Sequence, residues 1–492
     1  MAAYFAGHTQ FRFIYRTALR ISQDNLLNYL DGSYSEYSNV DSSIHVRKIS
    51  QQPIEFCHYI LIGLLQIFTE LMLIGLSVTA ILWYNSKLFL LILIILLPSV
   101  LALTYFIGKK LKAAKMHIKT MGEKTLQHLN EALSGFIESN IYGRKFFFNS
   151  RFVHYQGLLN KYLAEIRIIQ GLPSRFIEVF AVSGFFVLIV IHNLSGSHEA
   201  IYLVTIGAFT VAIYKIIPGI AKILNILGQI RAYEFTTREL LNDRLKNKRS
   251  DSLSCPGQPI RSVRFCDVSF SYSENKVTSA SLHRISFFIQ PGDIIGITGN
   301  SGSGKSTLMN LLLGFLEPID GDILFNDSIA NAQKRKEFWK DIAYCRQRTF
   351  LIYDKLLKNI TLDENHINEG LLKEAIKASG LKELLDKFPE GINHIISENG
   401  KNISGGQRKR ISIARTLYKN AGLIILDEPF TELDESSGQL ILRHLVNLSR
   451  QGKMIILITH DNKYHSYCNK IISLDAIGSK DPANPYARVS GK

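Results

Sequence analysis

Cysteine is scarce in this chain. Its five residues, Cys57, Cys255, Cys266, Cys345 and Cys468, contain no C-x-x-C pair, so neither a disulfide framework nor a zinc site is implied and all are expected as free thiols. Acid is also short. There are 42 Asp and Glu against 57 Lys and Arg, giving a formal charge of +15 and a pI near 9.4. No extended basic-aromatic patch is read in the chain, so nucleic acid is not the expected partner. The Lys and Arg instead flank apolar runs, which reads as inside-positive topology and attraction to anionic lipid. No charged-then-apolar leader opens the chain, and residues 1–52 read as a cytoplasmic, amphipathic segment.

What is plentiful is apolar sequence: 46% of residues are hydrophobic and mean hydropathy is +0.07, high for a wholly soluble chain of 492 residues. The run His58–Trp83 is about 25 residues long and Leu88–Ile107 about 20, each enough to cross a bilayer. Asn85-Ser86-Lys87 joins them as a hairpin, and Lys109, Lys110, Lys112 and Lys115 place its ends in the cytoplasm. Two further runs lie at 176–191 and 201–217. Between the pairs, helical periodicity at Leu126, Leu129, Leu133, Phe136 and Ile137 breaks around Tyr142-Gly143-Arg144. Two long cytoplasmic helices with a short cross-helix are expected there. Glu70 lies mid-span, where a carboxylate calls for a partner or a water-filled cavity.

A different chemistry begins at Ile294. A β-branched apolar run ends in Gly299-Asn300-Ser301-Gly302-Ser303-Gly304-Lys305-Ser306, followed by Thr307 and an apolar helical pattern. This fits G-x-x-x-x-G-K-[ST]. Glycines let backbone N–H groups curl around phosphates, Lys305 reaches the outer phosphates, and Ser306 offers a hydroxyl to Mg²⁺. The helix adds the positive end of its dipole.

Three later stretches extend the pattern. Ser404-Gly405-Gly406-Gln407 is a second Gly-rich turn feeding a helix expected to begin near Gln407, and so a second anion site. Gly422–Glu428 is a buried-type strand ending in Asp427, suited to Mg²⁺, and Glu428, suited to orienting or deprotonating an attacking water. Met454–His460 ends another apolar strand in a histidine placed for a γ-phosphate.

On these residues the sequence resembles the ATP-binding cassette (ABC) ATPases, from about Val263 to Leu474. The resemblance implies that Tyr272 stacks on adenine, that Gln347 touches Mg²⁺, and that Ser404–Gln407 is the signature turn. It further implies that Asp427 and Glu428 are the Walker B pair, Leu433-Asp434 the D-loop and His460 the switch histidine. Ile403 stands where leucine is usual, and Thr431-Glu432 where Ser-Ala is usual. The implied site is therefore catalytic through Glu428, His460 and Lys305, binds ATP through Tyr272, Gly299–Thr307, Gln347 and Ser404–Gln407, and holds Mg²⁺ at Ser306, Gln347 and Asp427. The implied assembly is head-to-tail, the P-loop of one ATPase domain and the signature turn of another enclosing one ATP.

The expected fold is an all-α transmembrane domain with four visible spans, followed by an α/β P-loop NTPase domain of the ABC class. Residues 1–241 are assigned to the membrane domain, 242–258 to a linker and 259–492 to the ATPase. Glu398-Asn399-Gly400 ahead of the signature and the helical pattern Leu371–Phe388 are similar to exporter-type modules. Such halves have six spans, so the visible four are assigned to positions three to six and the start is read as shortened, the missing two encoded upstream or supplied by another chain.

The expected function is an ATP-hydrolysing multi-pass exporter or flippase of the cytoplasmic membrane, its ATPase in the cytoplasm, paired with a second half-transporter as homodimer or heterodimer. The segment Tyr29–Ser43, Phe68-Thr69-Glu70-Leu71, Glu131–Gly143-Arg144, and Leu172-Pro173-Ser174-Arg175 with Glu178 resemble bacterial flippases of lipid-linked oligosaccharides. An amphiphilic substrate with a charged head is implied, with Lys215 near the fourth span a candidate to meet it. Drug, peptide or lipid export, or a transport-incompetent regulatory half, is the alternative.

Overall fold

The computed structural model describes residues 1–32, 34, 37, 40–84, 117–195, 215–216, 218–231, 233, 258–272 and 280–475. It divides into two compact units, Met1–Asp251 and Ser252–Lys492.

The first unit is helical. Helix α1 (Ala2–Leu30) buries Ile14, Ala18 and Ile21 against Cys57 and Ile62. Asp41 caps the next helical run by accepting the Ser43 N–H at 2.8 Å, and helix then continues, with π-helical turns at Arg47–Gln51 and Phe56–Leu61, into α2 (Ile62–Tyr84). Buried Arg47 ties this run to the helix at 117–134, donating to the Lys119 carbonyl at 3.0 Å and to Glu123 at 3.3 Å.

Among the described residues, the helix Ser42–Trp83 is the one long and apolar enough to cross a membrane. The apolar run at 176–191 forms the end of α3 (Lys145–Ser195), while 88–107, the turn at 85–87, most of 201–217 and most of the linker at 242–258 lie outside the described residues. Glu70 does have a partner: its Oε1 accepts from Lys222 Nζ at 2.6 Å. Close approach of the two helices rests on small residues, since a methyl group on Gly219 would come within 3.0 Å of Ile74 and one on Gly63 within 2.9 Å of Ile226. The helix at 117–134, the short helix Phe136–Ile141 and α3 form a hairpin closed by the Tyr142-Gly143 turn, with Gly143 at φ +62°. His117 stacks on Tyr162 and His128 on Tyr155 across it.

The second unit is an α/β fold. Five parallel strands in the order β11-β3-β10-β9-β6 form its core: β3 (Ile294–Thr298), β6 (Ile342–Cys345), β9 (Leu423–Asp427), β10 (Met454–Ile458) and β11 (Lys470–Ser473). Every residue of β9 and β10 is buried, as a parallel sheet covered on both faces requires. The neighbouring antiparallel sheet β2-β1-β4-β5 comprises β1 (Val263–Ser271), β2 (Ala280–Ile289), β4 (Asp320–Phe325) and β5 (Ser328–Ile329), and β7 (Asp354–Lys355) pairs antiparallel with β8 (Ile395–Ile396).

An apolar cluster including Leu351, Leu356, Leu372, Leu381, Ile396, Ile403 and Ile411 holds the helices Glu369–Ala378 and Lys382–Leu385 onto the helix α6 (Gly405–Tyr418). The helix between β3 and β4, Lys305–Leu312, is α4, and Glu369–Ala378 is α5. Ile403 is 8% exposed in that cluster, so an apolar residue is what the position needs and isoleucine meets the need.

Candidate functional site

In a parallel sheet the catalytic groups gather beyond the carboxyl ends of the strands. The register does this here: Asp427 at the end of β9 lies beside Ile458 at the end of β10, and Ile458 beside Ile297 of β3, one residue before Thr298 and the P-loop. β3 leaves the sheet through Gly299, and Gly304 takes φ +96° as the N-cap of α4, a conformation glycine adopts without steric cost. Lys305 folds back over the loop, its Nζ donating to the carbonyls of Gly299 at 2.6 Å and Asn300 at 2.9 Å. The Asn300 N–H is held by Asp475 at 2.8 Å. Ser303 Oγ is buried without a hydrogen-bond partner.

Asp427 is only 8% exposed. Burial, and then the neighbouring Glu428 charge, push its carboxyl above the ordinary aspartate range, while the Tyr344 hydroxyl, Lys409 and Lys305 oppose the shift. Lys305 and Asp427 thus feel each other across one site. The Tyr344 hydroxyl donates to Asp427 Oδ2 at 3.4 Å.

Glu428 follows with φ +49°, which turns its side chain away from the strand's alternation. Its Oε1 is buried and lies 3.0 Å from His460 Nε2, an ion-pair separation that lacks the alignment of a hydrogen bond. That leaves a buried carboxylate oxygen with unused acceptor capacity. Tyr272 is 65% exposed at the end of β1, edge-on to Phe270, with its hydroxyl 3.2 Å from Thr307 Oγ1. Gln347 sits on the exposed segment after β6, its carbonyl receiving a 2.9 Å hydrogen bond from Lys409 Nζ.

The signature turn stands apart. α6 begins at Gly405, two residues before the expected start near Gln407, because Ser404 forms a capping box: its Oγ accepts the Gln407 N–H at 3.3 Å while Gln407 Oε1 accepts the Ser404 N–H at 2.9 Å. The turn opens onto a cavity of about 660 Å³ lined also by Arg410, Glu432 and Asp434, and by no residue of Gly299–Thr307. Arg410 joins the turn to the loop after β9, donating to Asp434 at 2.8 Å and to the Gly380 carbonyl at 3.0 Å.

Sequence reasoning missed Lys409, Tyr344, Arg410, Asp475 and Glu432 as members of this neighbourhood. Tyr344 comes near Asp427 because β6 pairs with β9 in parallel, with Tyr344 beside Ile425 two residues before Asp427, a pairing the linear chain does not display. Asp475 carried no signal either, because its contact with Asn300 spans 175 residues.

The architecture defines an ABC-type ATP-binding domain that follows a helical N-terminal region in the chain. Residues 282–431 match the family model described as "ABC transporter". The chain is similar to the "ATP-dependent lipid A-core flippase" of Burkholderia thailandensis, 26% identical over 389 residues, covering 78% of this chain and 64% of that one. The protein of the same name from Saccharophagus degradans is 32% identical over 276 residues, covering 56% of this chain and 45% of the relative. The "Probable multidrug resistance ABC transporter ATP-binding/permease protein YheH" of Bacillus subtilis is 27% identical over 370 residues, 74% and 52% of the two chains. This chain therefore spans less than two thirds of the length of each of these relatives. Among solved structures, a bacterial Atm1-family ABC exporter with ATP bound superposes with a TM-score of 0.81 over 94% of this chain and 81% of that one, at 18% identity, so this chain shares the fold of that exporter.

Proposed function

We propose that this chain is an ATP-hydrolysing half of an ABC exporter that moves an amphiphile across the cytoplasmic membrane. The observation that carries the reading is Glu428 Oε1: buried, without a hydrogen bond, 3.0 Å from His460 Nε2 and directly after Asp427. A carboxylate so placed can orient a water and take its proton. The water's oxygen bonds to the γ-phosphorus as the bond to the bridging oxygen breaks, leaving ADP and phosphate. Lys305 exchanges the Gly299 and Asn300 carbonyls for phosphate oxygens, His460 meets the γ-phosphate, and Tyr272 offers an exposed ring to adenine.

Mg²⁺ fits the donor set. Ser306 hydroxyl, Gln347 amide and Asp427 carboxylate are hard oxygens, and the adjacent, poorly solvated carboxylates Asp427 and Glu428 favour a cation. When bound, the ion neutralises phosphate charge. Ser404, Gly405 and Gly406 line a cavity apart from the P-loop, which supports a head-to-tail pair in which each signature turn closes over the partner's nucleotide.

The membrane portion, 1–241 with spans near 58–83, 88–107, 176–191 and 201–217, is read as part of a six-span half, the ATPase domain following a linker at 242–258. The names of its relatives favour a lipid with a polar head, such as a lipid-linked oligosaccharide, over a drug. The test is twofold. Glu428→Gln should retain ATP binding while losing turnover, and ATP turnover at the native rate would remove Glu428 from its role. In vesicles bearing the completed transporter, a fluorescent lipid-linked glycan should be flipped with ATP. A response confined to hydrophobic drugs would transfer the reading to multidrug export.

A further inference from the structure

We infer that Glu432 is a built-in competitor of the signature turn, its carboxylate lying against Gly405 in the mouth of the turn that an incoming phosphate must enter. The inference rests on the head-to-tail reading above.

The geometry is specific. Glu432 has φ +69°, a left-handed conformation that costs a residue with a Cβ about 1–2 kcal/mol. That turn directs the side chain back across the start of α6 rather than out along the loop. A methyl group placed on Gly405 would overlap the Glu432 carboxylate outright, and one on Gly406 would lie 2.6 Å from the Glu432 carbonyl oxygen. Both Glu432 and the turn line the same cavity. Two constraints keep the loop in this position: Asp434 accepts from Arg410 at 2.8 Å and caps the helix α7 (Glu435–Arg450), and the Leu433 N–H donates to the Phe430 carbonyl at 3.2 Å.

The first amides of a helix have no partner within the helix, and the dipole makes that end a site for negative charge. Glu432 supplies a carboxylate beside this position, against Gly405, from within the chain. A phosphate carried in by a second domain meets a like charge in the space it needs, so closure requires the Glu432 side chain to swing out. The residue thereby raises the ATP concentration at which two domains close, and leaves the P-loop alone. Glutamate at the position where the resemblance expects alanine becomes a setting of the affinity of the composite site.

The test uses the full chain in lipid nanodiscs in the Glu428→Gln background, reading the ATP retained through a desalting column against ATP concentration. Adding Glu432→Gln, which keeps the shape and removes the charge, or Glu432→Ala, which removes both, should lower the half-point of retention about fivefold, the effect of one like charge about 4 Å away through water. Binding of a fluorescent ATP analogue to the P-loop at concentrations too low for closure should not move. High salt should narrow the gap between parent and variants. An unchanged or raised half-point in both variants overturns the inference while leaving the head-to-tail reading intact. Failure of the Glu428→Gln parent to retain any ATP overturns both together.

Discussion

Gly405 and Gly406 are adjacent at the start of the signature helix, and the structure assigns them different tolerances for a methyl group. At Gly406 the new Cβ would sit 2.6 Å from the backbone carbonyl oxygen of Glu432, about 0.8 Å inside the 3.4 Å at which ordinary contact begins. Backbone cannot rotate away as a side chain can, and the loop is pinned by the Arg410–Asp434 hydrogen bond at 2.8 Å. Overpacking of this kind costs about 1–3 kcal/mol. Alanine returns at most about 1 kcal/mol of helix propensity, less in a first turn, so the clash prevails. At Gly405 the overlap is with the end of the Glu432 side chain, which can turn to solvent, and propensity should offset what remains. Gly406→Ala should therefore melt about 2–6 °C below the parent in detergent micelles, and Gly405→Ala within about 1 °C of it, taking about 2–4 °C per kcal/mol for a domain of this size. Gly406→Ala should also lose at least about tenfold in ATP turnover while its P-loop binds a fluorescent nucleotide normally, because the displaced loop carries Asp434 and adjoins Glu428. Equal melting of the two variants would refute the reasoning, since it requires the carbonyl and the carboxylate to be equally mobile.

Lys305→Ala should weaken nucleotide binding by roughly 10- to 100-fold, the loss of a charge-assisted phosphate contact, with little change in melting, since among the described residues Lys305 bonds the loop carbonyls of Gly299 and Asn300. Arg335→Met should cost about 2–4 kcal/mol in urea unfolding, because the 1%-exposed guanidinium holds the Ala330 and Leu316 carbonyls at 2.7 Å each; Glu317→Gln should cost much less, as Glu317 reaches solvent. Asp427→Asn should stabilise the nucleotide-free chain at neutral pH. Its carboxyl titrates above the ordinary 3.8, so the folded state holds more protons than the unfolded one and stability falls as pH rises through that raised value, a loss the amide lacks. Melting compared at about pH 4 and about pH 7 checks this: the stabilisation should be present at the higher pH and shrink at the lower, and the same variant should lose Mg²⁺-dependent nucleotide affinity.

As local structure, the glycine-rich loop before Lys305, the strand ending at Asp427, the serine-glycine turn at Ser404 and the apolar run beginning at His58 were all legible in the linear chain. Each depends on chemistry carried by neighbours in sequence: glycines before a lysine, carboxylates after an apolar strand, serine before glycines, and length for a span. The hairpin of long helices was legible for the same reason, with Gly143 at φ +62° where the periodicity breaks. The helix at α6 starts earlier than its pattern suggested because the Ser404–Gln407 capping box is a reciprocal pair of hydrogen bonds, and a Gly-Gly start has no periodicity of its own. What the fold alone decided are the contacts between distant residues. Glu70 could be marked as needing a partner, but Lys222 lies 152 residues away. Asp475 reaches Asn300, and Arg410 reaches Asp434, only because parallel strands bring loops to one edge. The Glu428 backbone at φ +49° and the Glu432 backbone at φ +69° aim their carboxylates in directions that no alternation of residues encodes. Local motifs are written by short-range sterics and hydrogen bonding, whereas the charge environment of Asp427 and the occupant of the signature turn depend on how separate segments pack.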